Sequence, residues 1–162
     1  NLSSTFKWRP NIALSDNRNL DYFFERDGEL QDLGNTNIAF SPKLIAGNNI
    51  TYQPNNNFQV SLLSKFVGKQ YMGNIDSETS VLDSYTQTDF NIQYTINMNS
   101  FIKSIELSGL VNNIFDADIV SNGYFYTFDD DYSNPGTITT IEGAGYYPQA
   151  GINFLVGATV NF

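Results

Sequence analysis

The chain contains no cysteine and no histidine. Thiol chemistry, Cys/His zinc centres and a Ser-His-Asp triad are thereby excluded. Basic residues are also scarce: 8 Lys and Arg stand against 17 Asp and Glu, a net charge of −9. A nucleic-acid surface needs Lys/Arg stripes to meet its phosphates, so that class falls away too. Charged residues of both signs make up only 15% of the chain, too few for a disordered acidic tail. Long apolar runs are missing. Stretches such as residues 154–156 fall far short of the roughly 18 that a spanning helix needs. A mean hydropathy of −0.28 is likewise too polar for a helical membrane protein. The chain opens at Asn1 without Met or an apolar leader, so it reads as a mature product or a piece of something longer. Its 162 residues fit one domain, 1–162.

What is abundant is aromatic side chains, 13 Phe and 10 Tyr, which favour strands. The last segment alternates cleanly. Ala150, Ile152, Phe154, Val156, Ala158, Val160 and Phe162 share one parity, and Gly151, Asn153, Leu155, Gly157, Thr159 and Asn161 the other. Successive strand side chains point to opposite faces, so one face is apolar and the other small or polar apart from Leu155. A soluble strand hides such a face in a core; an outer-membrane barrel strand turns it to lipid.

Similar segments cover residues 2–14, 42–53, 58–72, 85–96 and 101–115. Pro10 predicts a bend, a bulge or an edge in the first. Asn48 interrupts the apolar side of the second, and Leu63 and Val67 the polar side of the third. Connections alternate in length: 15–41 long, 54–57 short, 73–84 longer, 97–100 short, 116–147 long. Outer-membrane barrels have short periplasmic turns and long extracellular loops. With Phe162 on the periplasmic side, every long loop counts as external. Two loop hairpins are predicted. One joins residues 22–26 to 29–33 through Asp27-Gly28, suited to a type I′ turn. The other joins 124–128 to 137–141 around Asn134-Pro135-Gly136. The fold class read from these features is all-β, an antiparallel transmembrane β-barrel portion of about six long strands. A soluble β-sandwich alternates as well, but its strands run to about 5–6 residues. A self-contained barrel of about eight strands would need both loop hairpins in its wall.

Leu110-Val111-Asn112-Asn113-Ile114-Phe115-Asp116 resembles the L-x-N-[LI]-F-[DN] signature in the penultimate strand of TonB-dependent outer-membrane receptors. Residues 146–154 with Asn161-Phe162 resemble their terminal strand, and residues 41–49 their SP-x-x-x-x-N segment. The resemblance spans roughly residues 41–162. It implies the C-terminal portion of an active importer in the cell outer membrane. The cargo of such receptors is a siderophore, haem, cobalamin, an oligosaccharide or a peptide. It implies partners as well: the plug and remaining strands of the same receptor, TonB acting through the missing N-terminal part, the barrel-assembly machinery, outer-membrane lipid and, in glycan importers, a surface lipoprotein. Phe162 would be the assembly signal, and Asn112, Asn113 and Phe115 the family motif. Asn112 is expected to face the lumen, and Asn113 the lipid or the rim with a structural hydrogen bond.

The 116–147 loop holds the candidate ligand residues. Tyr124, Tyr126 and Tyr132, with Phe125, Phe128, Tyr146 and Tyr147, could stack a sugar or an aromatic siderophore beside carboxylates. They could equally pack the loop and form an aromatic girdle. Asp129, Asp130 and Asp131 are hard oxygen donors, but no EF-hand spacing is present and a solvated acidic loop is the expectation. Lys7, Arg9, Lys65 and Lys69 are expected on the lumen face, against the plug or lining an anion path. Asp116 with Asp118, and Asp76 with Glu78, lack anything to fix them across a cleft as an acid–base pair. No catalytic residues, metal or cofactor are therefore assigned, and the reading is of no enzyme.

Overall fold

The computed structural model describes residues 3–162; Leu2, where the predicted first strand begins, lies outside the described residues. In chain order the elements are β1 (Phe6–Leu14), β2 (Arg18–Asn19), β3 (Phe23–Arg26), β4 (Glu29–Asp32), β5 (Thr36–Asn37), β6 (Leu44–Asn55), β7 (Phe58–Val67), β8 (Gln70–Tyr71), a 3-10 turn (Glu78–Ser80), β9 (Val81–Leu82), β10 (Tyr85–Asn97), β11 (Ser104–Asn112), β12 (Val120–Asp130), β13 (Thr139–Pro148) and β14 (Asn153–Asn161). No α-helix occurs among the described residues, and none is long and apolar enough to cross a membrane.

Six long strands form one sheet in the order β1-β6-β7-β10-β11-β14, and every pairing is antiparallel. The all-β, antiparallel reading therefore holds. A closed barrel is not seen: β1 and β14 each keep one unpaired edge. The remaining strands pair two by two, as the short β2-β5, β3-β4 and β8-β9 and the longer β12-β13, and none joins the large sheet.

Residues opposite one another in an antiparallel pair point to the same side. Trp8 faces Ile50, Ile50 faces Leu62, Leu62 faces Phe90, Phe90 faces Val111 and Val111 faces Phe154. One unbroken apolar row thus crosses all six strands. The neighbouring row runs Lys7, Thr51, Ser61, Asn91, Leu110, Leu155 on the other side. A one-residue slip in any strand would mix the rows, so the pattern itself specifies the register. Asn48 interrupts the apolar face, and its carboxamide oxygen accepts a hydrogen bond from the Trp8 indole. Pro10 sits in β1 at the sheet edge with its register uninterrupted, so the edge placement is the correct one of the three.

Nothing packs face to face on this sheet among the described residues. Val156 is 82% exposed and Phe154 75%. The buried apolar side chains among the described residues are Val67, Met72, Leu82 and Ile119, all at or beyond the strand ends that carry the long loops. The total accessible surface is 10608 Å², against about 8,100 Å² for a compact monomer of this mass.

The short connections, between β6 and β7 and between β10 and β11, lie at one end with Phe6 and Phe162. The long ones, after β1, β7 and β11, lie at the other. Several predicted boundaries shift. β7 stops at Val67 instead of continuing to residue 72, because Gly68 turns to donate its N–H to the Leu44 carbonyl at 2.8 Å. β11 covers Ser104–Asn112, not 101–115. Asn113 takes φ +49 and ends it, leaving Phe115 outside the strand and 75% exposed. The β12–β13 hairpin is longer than expected and set in a different register, with Tyr124 facing Gly145 and Phe128 facing Ile141.

Candidate functional site

The three long loops fold onto one another. In the first, Asp27 (φ +56) and Gly28 (φ +76) make the two left-handed residues of a type I′ turn between β3 and β4. Its other half is tied to the second loop. The Asp76 carboxylate accepts from the Asn37 backbone N–H at 2.9 Å and from its Nδ2 at 3.0 and 2.9 Å, and Asn74 Oδ1 accepts from Ala39 N–H at 2.8 Å. The third loop is the β12–β13 hairpin, and its two faces differ in use.

The inner face of the hairpin docks on the other loops. Glu142 accepts from the Arg26 guanidinium at 2.5 Å through one oxygen and from the Ser77 hydroxyl through the other. Thr140 and Asp27 exchange two hydrogen bonds at 2.8 Å, and Tyr146 donates to the Thr79 carbonyl at 3.2 Å. Burial alone would push the Glu142 carboxyl up; Ser77 and Arg26 outweigh it and hold the group below its ordinary value.

The outer face carries an aromatic ladder. Tyr124 and Tyr126 lie 6.1 Å apart at 20°, Tyr126 and Phe128 6.4 Å apart at 18°, and Tyr147 continues the row 5.9 Å from Tyr124. The cause is on the facing strand. A Cβ at Gly145 would stand 2.4 Å from the Tyr124 ring, and one at Gly143 2.4 Å from the Tyr126 ring. The rings lie across bare backbone, which fixes them side by side and half exposed. Such a surface suits stacking of flat ligand faces.

The structure separates the predicted site residues. Tyr124 and Tyr126 belong to the ladder. Tyr132 does not: it sits in the tip turn, 90% exposed. The three aspartates do not converge either. Asp129 accepts from the Thr140 hydroxyl at 2.7 Å, on the inner side. Asp130 accepts from the N–H groups of Tyr132 and Ser133 at 3.0 Å, and the Ser133 bonds hold its carboxyl below the usual range. Asp131 lies in the same turn. No group of three potential metal ligands forms among the described residues.

Asn112 lies on the polar face and donates to Asn153 Oδ1 at 2.8 Å. Asn113, just past the loop end of β11, makes the structural hydrogen bonds expected of it, from a buried position and not a lipid-facing one. Its side chain bonds both the N–H and the C=O of Ala117 at 3.0 and 2.8 Å, and its own N–H reaches Asp89 Oδ1 at 2.9 Å. The Phe162 ring packs against that of Phe101, 5.3 Å away and tilted by 49°, at the short-turn end. Lys7, Arg9 and Lys65 are on the polar face. Lys69 is not, since it lies past the end of β7 with its ammonium 5.2 Å from the Tyr71 ring.

Sequence reasoning missed Arg26, Ser77 and the two glycines. The glycines had a usable signal: Tyr-x-Tyr at 124–126 against Gly-x-Gly at 143–145 pairs rings with bare backbone in a hairpin. Arg26 and Ser77 had none, because their partner Glu142 is remote in the chain. No protein-family model and no curated protein matches the chain.

Proposed function

We propose that this chain is the C-terminal portion of a transmembrane β-barrel in the cell outer membrane, from a TonB-dependent receptor that imports a scarce nutrient. The observation that carries the reading is the apolar face. It is continuous over six strands, half-buried in the middle strands and exposed on the outer ones, and covered by no second layer. In water a patch of that extent is a liability; in a bilayer it is the wall. The strand lengths, 9 to 13 residues, suit barrel strands of about 9–11. Short turns at one end and folded loops at the other add support, as does the resemblance of residues 110–116 and of the terminal strand to that family.

On this reading the two free edges of the sheet pair with the remaining strands of the receptor, and its plug fills the lumen beside Lys7, Arg9 and Lys65. TonB acts through the N-terminal part. The chain by itself transports nothing and catalyses nothing. The aromatic ladder is the ligand-facing element of the external loops, for a siderophore, haem, cobalamin or oligosaccharide, with or without a lipoprotein lid. A small self-contained barrel is the weaker reading, because β3–β4 and β12–β13 bond only within themselves.

The test is the native protein extracted from membranes in detergent, run on a gel with and without boiling and weighed intact. The reading expects a large, heat-shifted species containing these residues. A heat-shifted species of only 18.2 kDa would make this a small complete barrel. A detergent-free soluble species would overturn both.

A further inference from the structure

We infer that a groove at the loop end of the apolar face holds an anionic lipid, with its phosphate headgroup between Lys43 and Lys69 and its acyl chains on Leu44 and Phe66. The inference rests on the barrel reading and goes beyond it. The groove has a volume of about 450 Å³, within the common range for small-molecule sites of about 300–1,000 Å³. Its floor belongs to the apolar face: Leu44 stands opposite Leu14, and Phe66 opposite Ala46. Gly68 lines the groove too, at a point where a Cβ would crowd the Leu44 carbonyl oxygen at 3.1 Å. Above the floor the lining turns polar, through Ser41, Gln70 and Ser84. Apolar below and polar above, the groove lies where the apolar face ends and the long loops begin. A lipid headgroup meets its chains at the same level.

The charge there runs against that of the whole chain. The chain is acidic overall, with 8 Lys and Arg in 162 residues, yet Lys43 and Lys69 both line this one groove. The carboxylates nearby do not cancel them. Asp16 is shared between Lys43 and Arg18, each at 3.0 Å, leaving one positive charge in excess. Glu78 is 3.8 Å from Lys69 with its side chain 86% exposed, an exposed and weak partner. Asp76 is occupied by Asn37. Each ammonium has three donors and spends few of them on protein. A free phosphate would use the two cations and leave the apolar floor bare; a lipid phosphate uses both.

The experiment titrates the full native protein, delipidated in a neutral detergent, with phosphatidylglycerol and reads retention by native mass spectrometry. Phosphatidylcholine and inorganic phosphate are the comparison arms. A lysine beside an anionic headgroup contributes about fivefold in affinity. The Lys43→Gln/Lys69→Gln protein should therefore hold phosphatidylglycerol about 25-fold more weakly, while Lys65→Gln on the polar face changes nothing. Phosphatidylcholine retention should be the same in all three proteins, and inorganic phosphate should not be retained. Equal phosphatidylglycerol retention in the double variant, or phosphate retained as well as lipid, overturns the inference. Heat-shifted mobility is measured on the same samples. If the wild type shows the shift and the lipid arms fail, this inference alone is wrong; if the shift itself is absent, the barrel reading has failed first.

Discussion

Replacing Val156 by lysine gives opposite outcomes in a bilayer and in water. Val156 is the fourth of nine residues in β14, faces Gly109 across the pair, and is 82% exposed on the apolar side. Its place near the middle of the strand puts it close to the midplane of a bilayer wall. A lysine on the lipid face there costs ~2–4 kcal/mol, or roughly 30- to 1,000-fold in the folding equilibrium. On a soluble surface the same change at an exposed side chain would stay within about 0.5 kcal/mol. Ser108→Lys is the internal control, one row away on the polar face and opposite Gly157. The assay is folding of the full native protein into lipid vesicles across a urea series, scored by heat-shifted mobility. Val156→Lys should lower the folded fraction strongly and Ser108→Lys hardly at all. Indistinguishable midpoints for the two variants would refute the assignment of the apolar face to lipid.

Three further outcomes are expected. Asn113→Ala should speed hydrogen exchange at Ala117 and its neighbours by about ten- to a hundredfold. It strands both polar backbone groups of Ala117, at about 1–3 kcal/mol, and leaves alanine at φ +49. Asn113→Gly should be milder, because it removes the strain but not the lost bonds. Gly145→Val should displace the Tyr124 ring and abolish the stacked-tyrosine signal in near-ultraviolet circular dichroism; an unchanged spectrum would mean the rings are not seated on that backbone. Acidification should loosen the docked loops. The Glu142 carboxyl is held below its ordinary value of 4.5, so its contribution is present above that pH and lost as pH falls further. Exchange at β3 and β13 amides should rise in that acid range in the wild type and show no such step in Glu142→Gln.

The large sheet was legible because its signal is local and redundant. Each of six strands repeats a period of two, and neighbours whose apolar rows must align correct one another's register. Strand ends were less legible, since they depend on single backbone events. The Gly68 turn onto Leu44 and the left-handed Asn113 each cut short a run that still alternated in sequence. The loop assembly was legible only within each hairpin. Asp27-Gly28 announced its turn, whereas Asp129, Asp130 and Asp131, adjacent in sequence, diverge into an inter-strand bond, a turn cap and the tip turn. Proximity along a loop says little about which way its side chains point. Contacts such as Arg26 to Glu142, 116 residues apart, leave no trace in composition or spacing.

That clasp carries a consequence for how the outer surface can be altered. Glu142 reaches Arg26 with one oxygen and Ser77 with the other, so three excursions of the backbone share a single fastening. The loops are therefore not interchangeable modules. Grafting residues 120–148 alone onto another scaffold would carry Glu142 away from both of its anchors and leave a carboxylate facing strangers. A graft that keeps the ladder in place has to bring Arg26 and Ser77 with it. Change at this surface is constrained to proceed in concert across all three segments, or to begin by dissolving the clasp.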